Sequence, residues 1–321
     1  MMIQTVLGPI DPSELGVCLP HEHLWCDQRL SPRLSLYEAT RSPSSYMRLD
    51  DYDRMLQELV LFREAGGNAI VEVTCDGWGR DLEVLARLSE ASSVHIIATA
   101  GFYVEPSMPL FVSEWTDAAL ADHITGEVER GVGEGKRLCG VLKSAVHRAR
   151  IEGLEAKVLK AVAVAQKRTG VPITTHTTGA RRQEIAGGNI GPQQLQFLKA
   201  EGVDPSRLIV GHVDERPDID VLASLADEGC FLQFDVIGKE HWLLDQTRAE
   251  LIHALIDRGY LEHLMLSQDR NREHEMRFGG GAGYCHIFQS FLPRLLRMGV
   301  NEREIHTMMV SNPARAFARL V

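Results

Sequence analysis

Val171-Pro172-Ile173-Thr174-Thr175-His176, then Gln193-Gln194-Leu195-Gln196-Phe197-Leu198-Lys199-Ala200-Glu201-Gly202, then Leu208-Ile209-Val210-Gly211-His212 form the stretch that decides the fold. An apolar, β-branched run ends in a polar residue. An amphipathic helical pattern follows and stops at a glycine suited to a C′ position. A second apolar run then begins. The unit is strand, helix, strand, and it recurs outward in both directions. The spacing predicts strands over 17–20, 69–74, 94–100, 138–143, 171–176, 208–212, 230–235 and 263–269. Helical patterns lie between and after them, at 50–65, 81–89, 118–130, 154–168, 193–200, 219–227, 247–258 and 285–297, with a closing helix over 314–320. In the first of these, Met55, Leu56, Leu59, Val60 and Phe62 share one broad apolar face. Gly66, Gly170, Gly202 and Gly259 stand at four helix ends. Repeated βα units require right-handed crossovers and a parallel sheet, and eight of them predict an α/β fold of the (β/α)8 TIM-barrel class. A doubly wound open sheet is the alternative, because periodicity does not show closure.

No composition shift or low-complexity linker divides the 321 residues, so 1–321 reads as a single domain with a short N-terminal extension. Hydrophobic residues at 44% and charged residues at 24% are ordinary for a globular chain. The 34 Lys+Arg against 44 Asp+Glu leave a net charge of −10, which disfavours nucleic acid and anionic membrane surfaces as partners. The N-terminus lacks the basic and apolar regions of an export signal, and no apolar run approaches ~18 residues. Cys18, Cys26, Cys75, Cys139, Cys230 and Cys285 show no CxxC spacing and read as reduced thiols of a cytoplasmic protein. Two long irregular stretches, 24–49 and 270–284, leave the C-terminal ends of the first and last strands, where barrel enzymes build their sites.

The chemistry is carried by what stands at the strand ends. His21-Glu22-His23 closes the first strand, Lys143 the fourth, His176 the fifth, His212 the sixth and Asp269 the eighth. Side chains alternate along a strand, so His21 and His23 point together into the barrel mouth while Glu22 points away. Two imidazoles there suit a divalent first-row metal. A His-x-His pair alone is a weak signal and more often marks two hydrogen-bonded structural histidines. The other strand-end residues strengthen it. A lysine among histidines and metals has its charged form disfavoured, and a neutral amine reacts with CO2 to give a carbamate, a two-oxygen anionic ligand able to bridge two metals. The alternative for Lys143 is a side chain that snorkels outward or pairs with an acid.

Leu19-Pro20-His21-Glu22-His23, Gly140-Val141-Leu142-Lys143, Pro172-Ile173-Thr174-Thr175-His176-Thr177, Ile209-Val210-Gly211-His212 and Leu266-Ser267-Gln268-Asp269 together resemble the phosphotriesterase family of the amidohydrolase superfamily. The motifs occur in order over nearly the whole chain. Gly279-Gly280 through Gly283-Tyr284-Cys285-His286-Ile287, with Ser311-Asn312-Pro313-Ala314-Arg315, is similar to the phosphotriesterase-related and lactonase branch. The resemblance implies a binuclear centre at the C-terminal ends of the strands. His21, His23 and Asp269 would hold the buried metal and His176 and His212 the exposed one. Lys143, as N6-carboxylysine, would bridge them together with a hydroxide. Zinc is expected, with manganese, cobalt or iron as alternatives. The hydroxide would attack the substrate and Asp269 would move its proton to the leaving group. Tyr103 matches a tyrosine that the family's lactonases place beside the hydroxide. Asp235-Val236-Ile237-Gly238 departs from the Asp-Arg-Tyr-Gly of quorum-type lactonases, which disfavours acyl-homoserine lactones. The resemblance also implies a homodimer.

Lys239, Arg270 and Arg272 are candidates for a rim clamp on an anionic substrate group, with solvated loop charge as the alternative. Trp242 is a candidate pocket wall. His95, His147, His241, His253, His263, His274, His286 and His306 lack the strand-end placement. The expected function is therefore metal-dependent hydrolysis of a small-molecule carboxylic ester or lactone, with at most promiscuous phosphotriesterase activity. An amidase on an N-acyl amino acid or sulfonate, a true phosphotriesterase and a non-catalytic metal-binding barrel are the alternatives.

Overall fold

Eight of the chain's apolar runs pair side by side in a computed structural model that describes residues 1–32, 47–147, 149–177, 190–215 and 217–319. A short antiparallel hairpin, β1 (Ile3–Thr5) and β2 (Gly8–Ile10), precedes β3 (Cys18–Glu22). A second small pair, β4 (Cys26–Asp27) and β5 (Arg48–Leu49), zips together the two ends of the long loop after β3, whose residues 33–46 lie outside the described residues. Then follow β6 (Ala69–Glu72), β7 (His95–Gly101), β8 (Val141–Val146), β9 (Ile173–Thr177), β10 (Leu208–Val210), β11 (Phe231–Phe234) and β12 (Leu264–Leu266). All pairs in the eight-stranded sheet are parallel, in the order β12-β11-β10-β9-β8-β7-β6-β3. The first and last strands meet at a seam. There the Asp269 N–H donates to the His21 carbonyl at 3.2 Å and the His21 N–H to Ser267 Oγ at 3.1 Å. The sheet is thus a (β/α)8 barrel, and the open-sheet alternative is excluded.

Alternation along the strands sorts the core into two layers. Ala69, Val71 and Val73 face the barrel interior with Ile97, Val141, Ile209, Phe231 and Met265. Ile70, Ile96, Leu142, Leu208 and Leu232 pack outward against the helices. The floor is plugged by Ile3 and Leu15 from the N-terminal extension and by Ala316 and Phe317 from the helix Asn312–Phe317. Polar strand ends are thereby confined to the opposite mouth.

Helices Tyr52–Glu64, Leu82–Ser92, Asp117–Glu129, Gly153–Thr169, Gly191–Ala200, Ile219–Asp227 and Asp245–Asp257 alternate with the strands. In the first, Met55, Leu59 and Phe62 are buried, but Val60 turns to solvent. Gly170 closes the helix Gly153–Thr169 at φ 71°, its N–H donating to the Gln166 carbonyl. The final barrel helix opens with a π turn, Ile287–Phe291, before Leu292–Arg297. Among the described residues no helix is long and apolar enough to cross a membrane.

Strand lengths differ from expectation where function intrudes. The fourth strand does not end at Lys143 but runs on to Val146, so Lys143 is interior and pairs with Gly101 on one side and Thr174 on the other. Gly101 is required there, since a Cβ at its φ of 116° would strike the Lys143 carbonyl oxygen. β10 and β12 end at Val210 and Leu266, short of the expected 212 and 269, and His212 and Asp269 stand beyond them in left-handed backbone, φ 53° and 51°.

Candidate active site

His21, His23, Lys143, His176, His212 and Asp269 all line one cavity at the C-terminal mouth of the barrel, about 810 Å³ including the space open to solvent. They arrive from β3, β8, β9 and the turns that follow β10 and β12. All six are buried. Lys143 Nζ lies 3.3 Å from His21 Nε2, and His212 Nε2 lies 2.7 Å from His176 Nδ1. Asp269 Oδ1 stands 3.3 Å from His23 Nε2 and 3.9 Å from His21 Nε2.

The surroundings set which nitrogen of each imidazole is protonated. The Thr74 hydroxyl donates to Glu72 Oε1 at 2.5 Å and so accepts from His23 Nδ1 at 2.7 Å. Asp235 Oδ1 accepts from His212 Nδ1 at 2.7 Å and from the His212 N–H at 2.9 Å. Asp235 Oδ2 and Gln233 Oε1 lie 2.8 and 3.1 Å from His21 Nδ1. In all three histidines Nδ1 is engaged and Nε2 faces the cluster, the arrangement by which carboxylates orient metal-ligating imidazoles.

Electrostatics fits the same picture. Burial disfavours the charged form of Lys143 and draws its pKa down. Burial likewise takes His21 to about 4 and His176 well below the usual imidazole value. His212 is the exception. Burial opposes its charge, but Asp235 prevails and lifts it to about 9. His212 Nε2 faces His176 Nδ1, and a cation there would engage both nitrogens. Burial would raise the Asp269 carboxyl, yet Lys239 and His23 hold it well below the carboxylate range. Asp235 is held low by His212 and His21 despite its burial. Four imidazoles, one ionised carboxylate and one amine whose charged form burial disfavours make a donor set that fits divalent cations.

Around this cluster Tyr103 places its hydroxyl 3.2 Å from His176 Nε2 and its ring 4.5 Å from Trp78. Met47, Val73, Cys75, Trp78, Trp242 and Asn271 contribute further wall. Arg272 lies at the cavity, its guanidinium donating to Asn271 Oδ1 at 2.7 Å. The other two basic residues expected at the rim are elsewhere. Lys239 is buried and its ammonium pairs with Asp269 Oδ2 at 2.7 Å and Glu275 Oε1 at 3.6 Å. Arg270 is also buried, packed against Gly238 away from the cavity. Conversely His147, one residue beyond β8, lines the cavity with Glu215. Its position one residue past the strand end was legible only once the strand's true end at Val146 is known.

The sequence model of the Phosphotriesterase family matches residues 1–317. The chain belongs to this family. Among its relatives, the phosphotriesterase homology protein of Escherichia coli (strain K12) is 32% identical over 308 residues, 96% of this chain and 99% of that protein. The N-acetyltaurine hydrolase of Mus musculus is 30% identical over 344 residues, covering 97% and 96% of the two chains. The crystal structure of a lactonase from Listeria monocytogenes superposes with a TM-score of 0.87 at 26% identity, covering 100% of each chain. This phosphotriesterase-family protein is an enzyme, a hydrolase, and the alternative of a non-catalytic barrel gives way.

Proposed function

We propose that this hydrolase is metal-dependent, cleaves carboxylic esters or lactones of small molecules, and has at most promiscuous activity on phosphotriesters. The observation that carries the reading is the convergence of His21, His23, Lys143, His176, His212 and Asp269 on one cavity. His21, His23 and Asp269 would hold one divalent cation, and His176 and His212 a second. Lys143 would be shared between them after its amine, whose charged form burial disfavours, loses a proton and takes up CO2, forming an N–C bond and releasing a second proton to give N6-carboxylysine. When bound, two such cations, zinc foremost and manganese, cobalt or iron as alternatives, make water a nucleophile near neutral pH and polarise the substrate oxygen.

The chain's own residues supply the rest. Asp235 fixes the tautomers of His21 and His212 from behind. Lys239 occupies Asp269 Oδ2, leaving Oδ1 toward the cluster to receive the proton of the attacking water and pass it to the leaving group. Tyr103, beside His176, donates to the substrate oxygen. Trp78, Trp242 and Met47 enclose the acyl group and limit water. Residues 1–321 act as one domain, and the six buried free thiols are compatible with a reducing cytoplasm.

A second reading, an amidase on an N-acyl amino acid or sulfonate, is favoured by Arg272 at the cavity and by the N-acetyltaurine hydrolase relatives. Purified protein is to be assayed with lactones, aryl esters, N-acyl amino acids, N-acyl sulfonates and phosphotriesters. The highest kcat/KM is expected on an ester or lactone. An N-acyl sulfonate leading the series would select the amidase, and turnover of phosphotriesters alone would overturn both.

A further inference from the structure

We propose that Glu22 is a positioning residue whose carboxylate clamps the backbone on both sides of Asp269 and thereby holds the Asp269 carboxylate in the cluster. The proposal rests on the role given to Asp269 above. Glu22 stands between two ligands in sequence, but strand alternation turns it away from them toward the seam where β3 meets β12. Its carboxylate is completely buried there. Oε1 accepts from the Ser267 hydroxyl at 2.7 Å and the Gln268 N–H at 2.8 Å, and Oε2 accepts from the Arg270 N–H at 2.8 Å.

The donors flank one residue, Asp269, at φ 51°. A non-glycine residue in that region is strained and persists only where its surroundings determine it. A left-handed residue also lets neighbouring N–H groups converge into a nest for an anion. Here the acceptor group is built into the first strand of the barrel. No ladder pairs β3 with β12, so the clamp, together with the Asp269 N–H on the His21 carbonyl, joins the first ligands of the site to the last. Glutamine is not an equivalent group, because its amide nitrogen would face one of the three donors with another donor.

The test compares Glu22→Gln, Asp269→Asn and the double variant, each loaded with zinc. It reads zinc retention against a competing chelator, kcat and KM separately on the best substrate, and far-UV circular dichroism. Glu22→Gln is expected to keep the native spectrum, to hold zinc about 10–100-fold less tightly, and to lose kcat with little change in KM. The double variant is expected to turn over no more slowly than Asp269→Asn alone, since both changes act through one carboxylate. Wild-type zinc affinity and kcat in Glu22→Gln, or losses that multiply in the double variant, overturn the proposal. Should Glu22→Gln not fold, Glu22→Asp keeps a carboxylate but draws it back by one methylene from the three donors. A few-fold weakening of zinc binding is expected, and none overturns the proposal. Full turnover by Asp269→Asn would sink the hydrolytic reading itself and the clamp with it. An inactive Asp269→Asn beside an unaffected Glu22→Gln would sink only the clamp.

Discussion

The Asp235 carboxylate meets the His212 imidazole at 2.7 Å through Nδ1, and its other oxygen lies 2.8 Å from His21 Nδ1. One buried acid therefore orients an imidazole from each half of the proposed binuclear centre. An amide in its place keeps only one oxygen to accept from two N–H groups. Asp235→Asn is expected to bind zinc about 10–100-fold more weakly, the usual effect of losing a partner behind a metal-ligating histidine. Competition with a fluorescent chelator measures this. Unchanged affinity for both ions would remove Asp235 from the site.

Lys143 is the one amine in the set of six, and burial beside His21 disfavours its charge. Lys143→Ala is expected to lower the metal content of purified protein, and short carboxylates such as acetate or propionate should restore part of it by entering the space of the lost carbamate. Elemental analysis with and without the additive gives the answer. Full metal content without any carboxylate would mean that the lysine is not a shared ligand.

Which parts of this were legible in the sequence follows from how local each signal is. The His-x-His pair rests on strand alternation, and Gly170 on the geometry of one helix end. Both need only a few neighbouring residues. The clamp by Glu22 joins positions 245 to 248 residues apart in sequence, and Asp235 lies far from His21 along the chain. Neither pairing leaves a periodic trace. Lys239 shows the opposite failure. A lysine in a loop of an acidic chain reads as solvated or as a rim charge, but its side chain turns inward because Asp269 and Glu275 already lie there. Charge composition carries no direction. The left-handed backbone of His212 and Asp269 was hidden for a related reason, since neither residue is a glycine.

That inward turn separates two residues that the sequence treats alike. Lys239→Met is expected to destabilise the protein by about 3–5 kcal/mol, because it removes the buried ammonium that pairs with the carboxylates of both Asp269 and Glu275. Urea unfolding of the metal-free protein measures the loss. A change within about 0.5 kcal/mol would mean that the ammonium is not paired in solution.

Arg272 lies at the cavity rather than beneath it, so its removal should act on binding. Arg272→Ala is expected to raise KM about 10-fold for substrates carrying a carboxylate or sulfonate, the low end for a charge-assisted hydrogen bond, and to leave KM for neutral lactones within 2-fold. Equal effects on both classes would show that the guanidinium does not meet the substrate.

Tyr103 joins the proposed chemistry to the hydrophobic wall. Its ring packs against Trp78 at 4.5 Å and against His176 at 4.7 Å, while its hydroxyl reaches His176 Nε2 at 3.2 Å. Tyr103→Phe keeps both ring contacts and removes only the hydroxyl, so folding and zinc content should be unchanged. If the hydroxyl donates to oxygen as negative charge develops on it, kcat should fall by about 10-fold or more, as expected for a hydrogen bond to a charged group, while KM stays within 2-fold. A rise in KM at constant kcat would instead make Tyr103 a binding residue that contributes equally to the ground and transition states.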